Sequence, residues 1–103
     1  MAMLVFFHTN QSVEFVEQRL MEIRQRSGDL FTKYYPLLAP READDLDREV
    51  LREYGADFDT KSMFYITSRP RKEGFTLNDA IAYMKKEFSD VKFAAENEGG
   101  GLM

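Results

Sequence analysis

Ser62-Met63-Phe64-Tyr65-Ile66-Thr67-Ser68 is the clearest strand in the chain, and its reading decides the fold class. Side chains alternate across a pleated strand, so Met63, Tyr65 and Thr67 share one face and Phe64 and Ile66 the other. Both faces are largely apolar. That predicts a central strand covered on two sides.

Outward from it, in the C-terminal direction, Arg69-Pro70-Arg71-Lys72 opens a loop that closes at Gly74. Thr76 and Asp79 then have capping-box spacing, with Phe75 placed to staple onto the first turn near Ala80. Leu77, Ala80, Ile81, Met84 and Phe88 make the apolar stripe of this helix. Val91 to Ala95 alternate as a short last strand. Residues 96–103, with Gly99-Gly100-Gly101, read as a flexible tail, leaving residues 1–95 as one globular domain.

In the N-terminal direction, Pro40 suits the first turn of a helix that stops at Gly55. Its buried face is expected to be Ala43, Leu46, Val50, Leu51 and Tyr54. Residues 30–38 are apolar, but Pro36 cannot donate to a ladder, so this stretch reads as an edge strand or a packed extended connection. Ser12 caps a further helix, whose stripe is Val13, Val16, Leu20 and Ile23 and whose end is Gly28. Leu4 to His8 is a short buried strand.

The order is β-α-(β)-α-β-α-β. It predicts an α/β domain in which three helices pack a small three- to four-stranded sheet with some parallel pairing. A ferredoxin-like α+β arrangement is the alternative.

Composition narrows the function classes. The 103 residues suit one domain, and 44% hydrophobic residues with nine Phe and five Tyr can fill a core. No cysteine is present, which removes disulfides, thiol catalysis and thiolate metal sites and suits a cytoplasmic protein. No apolar run approaches the roughly 18 residues that span a bilayer. The first residues lack the basic flank of a signal peptide. A net charge of −4 disfavours nucleic acid as a partner. No phosphate-loop, dinucleotide, zinc-protease or nucleophile-elbow motif occurs, so neither a catalytic set nor a cofactor or metal is predicted.

What stands out is segregated charge. Residues 41–59 carry eight carboxylates and three arginines, whereas residues 61–72 carry Lys61, Arg69, Arg71 and Lys72 and no acid. The acidic helix 41–53 and the basic loop 69–72 therefore suggest a non-catalytic protein-binding or regulatory domain. Its partner would be another protein or a second copy, with Asp44, Asp45, Asp47, Arg48 and Lys72 as contact residues. Arginines interspersed among the acids equally suit a solvated, salt-bridged helix face.

The alternative is a small-anion or nucleotide-binding protein with phosphotransfer or hydrolase activity. It would use His8, Thr9 and Ser12, at a strand end and helix start, together with Arg69 and Arg71. In a parallel sheet both loops would meet at one edge. His8 is the only histidine and so the one proton-transfer candidate near neutral pH. Plain capping explains Ser12 without a ligand, and a packed strand-end residue explains His8.

Overall fold

The computed structural model describes residues 3–68 and 73–103. Four strands form one sheet: β1 (Met3–Thr9), β2 (Arg41–Glu42), β3 (Ser62–Ser68) and β4 (Phe93–Asn97), in the order β2-β3-β1-β4. Every neighbouring pair is antiparallel. Three helices accompany it: α1 (Val13–Arg26), α2 (Asp45–Glu53) and α3 (Leu77–Glu87).

The small sheet with three helices is as expected, but the parallel pairing between neighbours is corrected. β1 and β2, joined through α1, do run the same way, as do β3 and β4, joined through α3. Each crossover leaves a gap one strand wide, and the other unit's strand fills it in the opposite sense. These interleaved split β-α-β units are the ferredoxin-like alternative, with α2 added between β2 and β3.

Strand alternation sets the core. Val5 and Phe7 of β1, Phe64 and Ile66 of β3 and Ala95 of β4 face α1 and α3. The helices answer with Val16, Leu20 and Ile23, and with Ala80, Ile81, Met84 and Phe88. At the centre four rings form a closed circuit. Centroids are 5.1 Å apart for Phe7–Phe64, 5.6 Å for Phe64–Phe88, 4.6 Å for Phe88–Phe93 and 5.4 Å for Phe93–Phe7. Burying each such side chain contributes about 1.5–3 kcal/mol, and ring pairs add about 0.5–1.5 kcal/mol.

The caps predicted for α1 and α3 are formed. Phe15 N donates to Ser12 Oγ at 3.2 Å. Thr76 and Asp79 exchange both bonds of a capping box. Phe75 lies edge-on to Tyr35, whose hydroxyl donates to the Phe75 carbonyl at 2.6 Å. Before β2 the chain makes a helical turn kinked at Phe31 (Leu30–Tyr34), then runs extended beside β3. There Leu38 N donates to Tyr65 O, and Thr67 N donates to Pro36 O. Pro36 thus sits on the sheet margin, where its missing donor costs nothing.

Helix α2 differs from expectation in start and in buried face. It begins at Asp45, because Asp44 and Asp47 form a reciprocal capping box while Arg41 and Glu42 pair with β3. Only Leu51 is fully buried; Leu46 is 66% exposed. The helix starts at the β2 margin, where Ala43 N donates to Lys61 O at 2.9 Å. It ends with Tyr54 beside Gly100, past β4: a Cβ on Gly100 would lie 3.1 Å from the Tyr54 hydroxyl. α2 therefore crosses the sheet on the face opposite α1 and α3. His8, Met63 and Leu51 are buried on this side, outside the main core.

Residues 96–103, read as a tail, lie along the sheet. Glu96 and Asn97 belong to β4, Asn97 N donates to Gly101 O, and Met103 N donates to Ala95 O. Gly100 and Gly101 take φ of +100° and +92°, the left-handed region that favours glycine. Among the described residues no helix is long and apolar enough to cross a membrane.

Candidate functional site

The turn after β1 is tied inward. His8 is 1% exposed, and its Nε2–H donates to Glu96 Oε1 at 2.8 Å; Nδ1 has no hydrogen-bond partner among the described residues. Thr9 Oγ1 donates to Lys92 O at 2.7 Å, and Ser62 Oγ donates to Gln11 O at 2.8 Å. Thr60 Oγ1 bridges the carbonyls of Thr9 and Ser62. Ser12 is spent on its cap. These polar side chains knit three loops together at one end of the sheet, as buried polar groups must be satisfied.

Arg69, Arg71 and Lys72 lie outside the described residues. Their convergence with the 8–12 turn presupposed parallel strands. In the observed register Thr9 pairs with Ser62 and Met3 with Ser68, so the strand end leading into residue 69 is at the far end of β1. Six residues of strand separate the two ends, roughly 20 Å.

The acidic segment resolves into individual pairs. Arg48 donates to Asp45 at 2.6 Å, and Arg41 to Asp47 at 3.1 Å. Arg52 donates to Asp59 at 2.7 Å, and Lys92 to Asp57 at 2.9 Å. The hydrogen bond from Arg48 holds the Asp45 carboxyl below the ordinary carboxylate range, and Lys92 does the same for Asp57. Burial pushes the Asp47 carboxyl up, but the Asp44 N–H and the Arg41 guanidinium outweigh it, and the net shift is downward. Asp44 caps the helix. Glu49 and Glu53 are exposed and make no hydrogen bond or ion pair among the described residues.

A surface hollow lined by Ser12, Glu14, Glu42, Arg48 and Lys61 borders the acidic segment itself, and two more lie nearby. One, of about 460 Å³, runs between α1 and residues 39–40, with Glu17, Met21, Arg24 and Pro40 on its walls. The other, of about 430 Å³, lies by Arg52, Asp57, Phe58 and Asp59. Neither gathers a nucleophile with a base. Among the described residues no three His, Cys, Asp or Glu side chains are placed to hold a metal ion.

A family model described as CDI System Immunity Component matches residues 1–99. The chain belongs to that family. Its fold is similar to that of a chain in the CdiA-CT/CdiI toxin and immunity complex from Burkholderia pseudomallei, with a TM-score of 0.85. The two are 16% identical over 99% of this chain and 96% of that one, so the likeness is one of fold. No curated protein matches the chain in sequence. Membership of an immunity family goes with a protein-binding role.

For this immunity component the structure sorts the residues singled out from sequence. His8, Thr9 and Ser12 hold the fold together. Asp44, Asp45, Asp47 and Arg48 come together at the start of α2, largely bonded to one another and to Arg41. Sequence reasoning missed the outward Leu46 beside unpaired Glu49 and Glu53, because it placed Leu46 on the buried face of α2. Helix spacing alone was not a sufficient signal: Glu49 stands at i,i+3 from Arg52, yet Arg52 turns to Asp59, and Asp47 is held by Arg41 from outside the helix.

Proposed function

We propose that this protein binds a toxin as a folded domain and neutralises it in the cytoplasm, meeting it through the charged surface around the acidic segment 41–53. The observation that carries the reading is the family match over residues 1–99, which spans every element from β1 to β4. The similar fold in a toxin and immunity complex supports it. Among the described residues Glu49 and Glu53 are exposed carboxylates of that segment with no hydrogen bond or ion pair. A surface of this sign favours a partner with a basic face, speeding encounter and rejecting acidic competitors. The basic loop with Arg69, Arg71 and Lys72 is the second contact surface of this reading.

The test uses the toxin domain encoded at the same locus as the probe. Purified with this chain, it should form a complex with submicromolar affinity, and co-expression should restore growth. If that toxin binds no better than an unrelated acidic protein of similar size, the reading is wrong.

A further inference from the structure

On α2, Leu46, Glu49 and Glu53 point away from buried Leu51, since residues three, four and seven apart share a helix face. Half-buried Val50 and Tyr54, which is 36% exposed, continue from Leu46 at four-residue steps. Tyr54 lies against Gly100, and Leu102, 38% exposed, is paired with Glu96 across the last turn. Paired residues present their side chains to the same face, so Leu102 shares the Glu96 side of the sheet, the α2 side.

Scattered exposed apolar residues need no explanation, but a connected ridge does. This one runs from Leu46 through Val50 to Tyr54, and the two carboxylates beside it are unneutralised. We infer that this ridge is the docking surface for the toxin, and that the toxin meets it with a shallow apolar depression rimmed by lysine or arginine. The inference rests on the toxin-binding reading. It assigns the contact to Leu46, Glu49, Glu53 and Tyr54 rather than to Asp45 and Asp47, whose charge Arg48 and Arg41 already hold. Leu46 is the apolar anchor, while Glu49 and Glu53 set orientation and rate of encounter.

Binding of the toxin domain from the same locus is measured by calorimetry for wild type, Leu46→Ala, the double variant Glu49→Gln/Glu53→Gln, and Glu22→Gln, exposed on α1 near Arg19 and Arg26, as the opposite-face control. Leu46→Ala should weaken binding by about tenfold or more. The double variant should weaken it by about tenfold at low salt and flatten its salt dependence. The control should stay within about twofold. Unfolding curves establish that each variant folds. If wild type binds and the two ridge variants bind within twofold of it, the ridge is not the docking surface and the toxin-binding reading stands. Wild type failing to bind sinks both. A dimer of this chain that Leu46→Ala dissociates would assign the ridge to a second copy and overturn the proposal.

Discussion

On one face of the sheet two helices interdigitate with four phenylalanine rings; on the other, a single short helix rests on Leu51 and turns Leu46 to solvent. The first arrangement needs residues with no alternative partner, so it is apolar throughout and its helices are capped in register. The second spends its polar groups on local pairs and leaves a ridge uncovered. Folding free energy is concentrated on the α1–α3 face, and the docking ridge inferred above lies on the face where packing asks least of the side chains.

The largest expected effect breaks the first face. Phe88→Ala removes a ring that touches both Phe64 and Phe93 and should cost about 3–5 kcal/mol in urea unfolding. A loss below about 1 kcal/mol would mean that the ring circuit is not the centre of stability. A sharper contrast lies within α2. Leu51→Ala should cost about 2 kcal/mol, at the low end for buried leucine because only one layer covers it, whereas Leu46→Ala should change stability by no more than about 0.5 kcal/mol. Equal costs would refute the assignment of inner and outer sides.

The smallest effect is on acid stability. Asp45, Asp47 and Asp57 have carboxyls held below their ordinary values, so they ionise more readily folded than unfolded. Their contribution is full above the unfolded value, about 4, and is lost as pH falls through the lower folded values. The melting midpoint should therefore sag below about pH 4, and less so in Asp47→Asn. A midpoint that rises on acidification would reverse the sign and discard the pairing account. Surface exposure keeps each contribution small.

Much of the first face was legible in sequence. Alternation in residues 62–68 and the stripes of α1 and α3 name the core, and Ser12, Thr76 and Asp79 mark helix starts through chemistry confined to four residues. Strand direction was not legible, because whether β3 runs with or against β1 depends on which strand fills the gap left by a crossover. That misjudgement also brought the 8–12 turn and the 69–72 loop to one edge. In α2 the proline signal at Pro40 competed with the Asp44–Asp47 box and lost, since the box satisfies two helix-end donors and β2 claims Arg41 and Glu42. The family was out of reach for a similar reason. What this chain shares with the Burkholderia protein is a fold, at only 16% sequence identity.

At one margin of the sheet prolines 36 and 40 precede the two-residue β2, and at the other residues 99–103 fold back along β4. A free ladder of N–H and C=O groups on either border would invite copies to zip together into polymers. Proline and a very short strand at one border and the folded-back residues at the other disfavour such pairing, and what stays available for contact is side chains, which discriminate between partners far better than bare backbone does.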